Sequence, residues 1–354
     1  MGAEPAMQLS FALTKSSDLT KALRALPLEP RMIRSLIRVA FTGACLAAAA
    51  VPALAQQTAF PSRPVRIVVP YAPGGGTDII SRQLAAKLGE AWGQNVVVEN
   101  RPGANGIVGT DLVLKSPPDG HNLVVVVGAH VINASLQKSM PFDPVADAAP
   151  VTLIATSPWV VVVTPSVPAN TLREFIAHAK ANPGKLRFGS SEPSSRLAGE
   201  QFKQQAGVDL THVPYKGGSM IMTDMLGGHI EAGFTSTLTV LQHYKSGKLR
   251  VLAVAGNTRH PSMPDIPTAI EAGLAQYETY AWYGMYTARN VPADITSRIQ
   301  KDIARIVQLP EMREKLNQFG AEPVANTPEQ FAAFTRAEFE KYAKLIKQAG
   351  IQAE

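Results

Sequence analysis

The chain has 354 residues and a single cysteine, Cys45, which lies in an apolar stretch near the start. The remainder can hold no disulfide and no thiol nucleophile. A lipidated cysteine would want leucine or a similar residue three positions earlier, and Thr42 stands there. Aromatic residues are few, 6%, but the apolar fraction of 45% is ordinary for an α/β protein of about two domains. The longest leading apolar stretch, 39–51, is too short to span a bilayer comfortably. Without residues 1–55 the charge falls from +6 to +3, 28 Lys and Arg against 25 Asp and Glu. No Lys/Arg-rich block remains, so nucleic acid is not an expected partner.

Several catalytic signatures are missing as well. Gly-x-Ser-x-Gly does not occur, which removes the nucleophile elbow. Ser135 and Lys138 have the spacing of a penicillin-binding enzyme, but the companion Lys-Thr-Gly is absent. The seven histidines show no His-Glu-x-x-His and no paired spacing, and His229-x-Glu231 falls on a predicted strand; no metal and no cofactor are expected.

The first 55 residues read as an address. Met32, Arg34 and Arg38 make a short basic start, 39–51 is the apolar segment after it, and Ala53-Leu54-Ala55 fits a small-x-small cleavage site. Residues 1–31 read as a misassigned upstream extension, 32–55 as a signal peptide, and Gln56 as the new N-terminus. An uncleaved anchor is the alternative.

Strand and helix patterns then alternate. VRIVVPY (65–71), NVVVEN (95–100) and NLVVVVG (122–128) read as strands, the last buried on both faces of a parallel sheet. Ile80, Leu84, Leu88 and Trp92 form one stripe of a helix over 77–92, and 107–116 reads as a shorter helix. VTLIAT (151–156) and WVVVVT (159–164) read as two strands. A helix opens at Thr171 and stops at Asn182-Pro183-Gly184. Strands come next in 185–191, 210–214, 229–235 and 250–256, with helices over 195–206 and up to Leu226. The last part reads as helical, with a stripe of Ile295, Ile299, Ile303 and Val307. Thr327 and Gln330 form a capping box, and Gly350 is the stop. Such alternation implies parallel sheets covered by helices. Two glycine-turn clusters suggest two sheets whose carboxyl ends face a cleft.

The turn YAPGGGTD (71–78) carries the clearest chemical signal. A Walker loop would need a lysine after the glycines, and none is there. Gly74-x-Gly76, with Glu99 ending the next strand, imitates a dinucleotide fingerprint, but Ile79 occupies the third glycine position. The remaining chemistry is an anion cradle of successive N–H groups at a helix N-terminus. Asp78 would repel a fully charged ligand placed on it and is expected to cap the helix or hold a water. A tight turn without ligand is the plain alternative. The second cluster, GSSEPSSR (189–196), offers hydroxyls, N–H groups and the Arg196 guanidinium, which can fork onto a carboxylate. Alternatively, Ser194 caps the helix and Arg196 is solvated. In Tyr215-Lys216-Gly217-Gly218 the backbone of Gly217 is the better ligand contact, since most lysines are exposed.

These segments resemble one family throughout. FPSRPVRIVVPYAPGGGTDIISRQLAAKL, VVENRPGANG, PPDGHNL, MPFDPVADAAPVTLIAT, HVPYKGG, MLGGHIEAGF, GKLRVLAVAG and MPDIPTAIEAG match, in order, the pattern of the substrate-binding receptors of the tripartite tricarboxylate transporter family, the Bug proteins. The resemblance runs from about Phe60 to the C-terminus. It implies a two-domain periplasmic binding protein of the type II-like class, each domain a mainly parallel sheet flanked by helices. Domain 1 would comprise 56–157 and 281–354, and domain 2 would comprise 158–280, with the ligand in the cleft between them. It further implies a secreted monomer, not an enzyme, that captures a small carboxylate and delivers it to membrane subunits. A secreted enzyme using the same cleft and a ligand sensor for signalling are the alternatives.

In the family the first glycine loop holds a ligand carboxylate, partly through waters. On this chain that points to Tyr71, Gly74, Gly75, Gly76, Thr77 and Asp78. The loop after the third strand contributes Ala129 and His130. The second-domain loops contribute Ser190, Ser191, Ser195, Tyr215 and Gly217. Two departures stand out. Glu192-Pro193-Ser194-Ser195 with Arg196 replaces a glycine-rich, serine-bearing turn that runs into His, and Thr235 replaces an Asp after the strand phenylalanine, Phe234. Loss of that acid and gain of Arg196 favour an anion without an amine, a dicarboxylate or aromatic carboxylate, although Glu192 nearby complicates that preference.

Overall fold

The computed structural model describes residues 60–275, 277–318 and 320–348. The expected extension 1–31, the signal peptide 32–55 with Cys45, the N-terminus at Gln56 and the stop at Gly350 lie outside the described residues.

Strands β1 (Val65–Val69), β2 (Val96–Asn100) and β3 (Asn122–Val126) pair in parallel in the order β2-β1-β3. Helix α1 (Gly76–Trp92) makes the first crossover and α2 (Ile107–Leu114) the second, ending two residues before the expected boundary. Ile80, Leu84 and Leu88 are fully buried under the sheet. Trp92, the fourth member of the stripe, is half-buried, and its indole N–H donates to Asp302 at 2.8 Å.

The two strands expected in 151–164 are one strand, β4 (Ala148–Val163). Pro158 does not break it, because the ladder changes partner there. Up to Pro158, β4 pairs antiparallel with β9 (Tyr280–Ala288); from Trp159 onward it pairs with β7 (Ala232–Ser236) and β8 (Arg250–Val254). A proline costs a strand little where no ladder N–H is needed. Beyond β7, strands β5 (Arg187–Ser190) and β6 (Thr211–Pro214) continue in parallel in the order β7-β5-β6. Two parallel triplets thus flank an antiparallel centre, and the short β10 (Glu322–Pro323) pairs on β4.

The strand patterns in the sequence passed over β9. Its run YAWYGMYTA is rich in the aromatic residues that favour strands, and Ala281 to Ala288 are buried without a break. Helices α3 (Ala129–Leu136) and α7 (Thr237–Lys245) were passed over too. Helix α4 (Leu172–Ala181) starts as expected, with Thr171 Oγ1 accepting the N–H of Glu174. Helices α5 (Pro193–Ala206) and α6 (Gly218–Leu226) come after β5 and β6. The terminal part comprises α8 (Ala293–Gln308), α9 (Pro310–Gln318) and α10 (Pro328–Gln348). Helix α10 opens on the expected capping box: the Thr327 N–H donates to Gln330 Oε1 and the Gln330 N–H to Thr327 Oγ1.

Candidate functional site

The parallel strands β1, β3, β5, β6 and β7 all end at one place, and each leads there into the N-terminus of a helix. After β1 the chain turns through 70–75 into α1. Gly74 has a φ of +77°, which favours glycine, and its N–H donates to Asp78 Oδ2 at 2.9 Å. Asp78 also accepts from Arg82 Nε and Asn100 Nδ2, and Asn100 donates to the Tyr71 carbonyl. Burial alone would raise the Asp78 pKa, but the bonds from Arg82, Gly74 and Asn100 outweigh it and hold the carboxyl below its usual range. Asp78 therefore fastens the turn from behind.

Opposite this turn stands the one between β6 and α6. The Ala72 N–H donates to the Lys216 carbonyl at 3.3 Å, and Ser219 Oγ donates to the Pro73 carbonyl at 2.7 Å. The backbones meet so closely at Gly217 that a Cβ there would lie 2.9 Å from the Ala72 Cβ. The two glycine turns are shut against each other.

Behind them lies a cavity of about 40 Å³. Its walls are Tyr71 and Ala72 with Gly75, Gly76 and Thr77; Ser191 and Glu192; Gly217 and Gly218; Thr235, Ser236 and Thr239; and Val127, Trp159, Ala281 and Tyr283. Among the described residues no Lys, Arg or His lines it. Its attraction for an anion comes from backbone. Helices α1, α6 and α7 begin on the cavity, and their N-cap residues, Gly75, Gly217 and Ser236, supply no side-chain bond. The open N–H groups of a helix start carry about half a positive charge. The indole N–H of Trp159 is buried and bonded to none of the described residues, a further donor in the wall.

Helix α5 differs. Its N-cap is Glu192, and not Ser194, which the alternative reading of this turn had as the cap. The Glu192 carboxyl accepts the N–H groups of Ser194 and Ser195 at 2.8 and 3.0 Å and the Ser194 hydroxyl, while Ser195 Oγ accepts the Glu192 N–H. Burial raises the Glu192 pKa, and these bonds with the Ala129 N–H oppose the rise. Burial first and the Glu192 carboxyl second raise the Tyr71 phenol well above its ordinary value. Tyr283, from β9, donates to Ser236 Oγ at 3.0 Å.

Of the residues singled out in the sequence, Tyr71, Gly75, Gly76, Thr77, Ser191, Gly217 and Thr235 line the cavity. Gly74 lies in the turn itself, on the side of Ser219, and Asp78 lies behind it. Ser195 is held in the α5 cap. Ser190 pairs with His212 Nε2 at 2.7 Å. Ser190, Arg196 and Tyr215 face a separate groove of about 360 Å³, and the Tyr215 hydroxyl donates to Asp224 at 2.7 Å. Ala129 and His130 belong to the first turn of α3, not a loop, and are packed inside. Val127, Trp159, Ser236, Thr239, Ala281 and Tyr283 were not foreseen. Tyr283 and Ala281 sit on the overlooked strand. Trp159 is the one residue of its run whose buried polar atom could have marked it.

His130 has a structural task. Its Nε2–H donates to the Pro144 carbonyl at 2.8 Å, its Nδ1 is buried without a partner among the described residues, and its ring packs on Phe142 and Tyr286. Burial lowers its pKa to about 4. The unfolded chain takes up this proton near pH 6.5, so the difference adds nothing above that pH and removes stability as pH falls toward 4. The loss should approach about 3 kcal/mol. Urea unfolding at pH 7.5, 5.5 and 4.5 should show this slope in the parent and a shallower one in His130→Gln; equal slopes would remove His130 as its source.

A mixed sheet joined by one long strand, with a shut cavity at the carboxyl ends of its parallel strands and helix N-termini aimed into it, defines a binding protein of the two-domain periplasmic class. The family model described as tripartite tricarboxylate transporter family receptor matches residues 80–351, and the chain belongs to that family. BugT of Bordetella pertussis is 32% identical over 316 residues, 88% of this chain and 97% of that protein. The solved structure of periplasmic binding protein BugD is 31% identical with a TM-score of 0.80, over 83% of this chain and 100% of that one. Rpa4515 of R. palustris, solved with adipate, is 32% identical with a TM-score of 0.81, again over 83% and 100%. The chain is a solute-binding receptor and not an enzyme.

Proposed function

We propose that this protein is a periplasmic receptor, exported by a cleaved signal peptide, that captures a small carboxylate and presents it, as a monomer, to the membrane subunits of a tripartite tricarboxylate-type transporter. One observation carries the reading: α1 and α6 begin on one cavity with glycine N-caps that supply no side-chain bond, so a ligand anion is the partner that their N–H groups lack. Capture works by closure. The parts 56–157 with 281–354 and 158–280 rotate about β4 and β9, and the turns at 72–73 and 216–219 meet over the ligand. The ligand drives this motion only as far as it binds the shut state better than the open one.

Dicarboxylates and aromatic carboxylates are the candidate ligands. Adipate in the R. palustris relative supports the carboxylate class. Thr235 on the cavity wall supports a ligand whose recognition needs no acid there. Arg196, placed on the neighbouring groove, has no part in gripping the first carboxylate. A thermal-shift screen of mono-, di- and tricarboxylates tests the reading. A ligand at one hundred times its Kd adds about 2.7 kcal/mol to stability, which should raise Tm by roughly 5 °C or more. If no carboxylate moves Tm at millimolar concentration, the reading fails.

A further inference from the structure

Among the described residues, five helix N-termini surround the cavity or its rim, and the chain treats them unequally. Those of α1 and α6 have no side-chain cap, and at that of α7 Ser157 Oγ accepts the Leu238 N–H at 3.4 Å. Those of α5 and α3 share one carboxyl, that of Glu192. It is 7% exposed, it caps α5 through Ser194 and Ser195, and the Ala129 N–H that opens α3 also favours its charged form. The approach of the two helix starts is built in: a Cβ on Gly128 would lie 2.9 Å from the Ser194 Cβ. Among the described residues Glu192 is also the one acidic side chain on the cavity wall; it lines the neighbouring groove as well, where Arg196 and His212 stand.

A carboxyl already stands in this anion-binding cavity; burial raises its pKa, while the N–H groups of Ser194, Ser195 and Ala129 favour its charged form. A ligand carboxylate on the α1 and α6 side meets N–H groups that no side chain caps. A second one, reaching toward α5, meets a carboxyl that already holds the local donors. We propose that Glu192 is a specificity-determining residue, standing where a ligand's second carboxylate would go, and that the receptor selects a monocarboxylate whose far end is neutral or cationic. This rests on the cavity being the ligand site, and between the two candidate classes it chooses the aromatic carboxylate.

The test compares matched acids differing at one end, benzoate with terephthalate and hexanoate with adipate, by calorimetry and thermal shift at pH 7.5. Two variants are used: Glu192→Gln, and Glu192→Ser, which removes the charge but keeps a good N-cap residue. The parent should bind the monoacid of at least one pair tenfold or more tighter than the diacid. Both variants should shrink that ratio at least tenfold, chiefly by gaining diacid affinity. A merely structural role for Glu192 would weaken both acids together and leave the ratio unchanged. A parent that binds the diacids as tightly, or a ratio untouched in both variants, overturns the proposal. If no acid of either pair binds the parent or a variant while other carboxylates do, the monocarboxylate assignment is lost but the receptor reading stands; if no carboxylate binds at all, the receptor reading falls first.

Discussion

Gly217→Val should weaken carboxylate binding about tenfold to a hundredfold while leaving the ligand-free protein almost as stable as before. The backbone at 217 is extended, with φ 179° and ψ 155°, so a valine meets no conformational strain there. The obstacle it meets is the other turn. Its Cβ would stand 2.9 Å from the Ala72 Cβ and 3.4 Å from the Ala72 nitrogen, on the seam closed by the Ala72–Lys216 hydrogen bond. Overpacking of this kind costs about 1–3 kcal/mol, and the cost falls on the shut state alone. Calorimetry gives the affinity and small-angle scattering gives the shape with saturating ligand. Parent-like affinity in the variant would show that capture does not require these turns to touch.

Phe331→Ala should be the most destabilising single change on α10, by about 3–5 kcal/mol, lowering Tm by roughly 10 °C. The ring is fully buried. It packs against Tyr286 at 4.7 Å and Trp282 at 6.3 Å between centroids, and it lies on the bare backbone of Gly284, where a Cβ would come within 2.2 Å of it. The site was shaped around one ring, so neighbours cannot collapse into the void. Chemical unfolding of Phe331→Ala and Phe331→Leu should rank them in that order. A loss below about 1 kcal/mol for the alanine variant would mean that α10 is not part of this core.

Elements with a strong local signature were legible in the sequence. The glycine turn at 74–76, the Ile80-Leu84-Leu88 stripe and the Thr327–Gln330 box each depend on residues within a few positions of one another, where spacing maps directly onto geometry. The rest depends on partners far along the chain. Pro158 read as a break because a single sequence does not show that the ladder changes partner there. β9 hid between an irregular stretch and the helical terminal part, and with it went Tyr283 and Ala281 on the cavity wall. Ser194 looked like a cap by residue type, yet Glu192 won the position, since its longer side chain reaches two N–H groups and a hydroxyl at once. Arg196 looked like a ligand clamp because its charge was conspicuous, whereas its direction is set by α5 and turns it to the adjoining groove.

The partnership of β4 with β9 has a mechanical corollary. The two strands stay in register from Ala148 opposite Ala288 to Pro158 opposite Tyr280, with irregularities only near Pro150–Thr152 and Leu153–Ala155. At their far end Ser157 binds both Thr237 and the Gly320 carbonyl. A ribbon clamped in this way behaves as a leaf spring. It can flex along one arc with a restoring force, but it cannot swivel freely. On the proposed closure, opening and shutting would both follow that one arc.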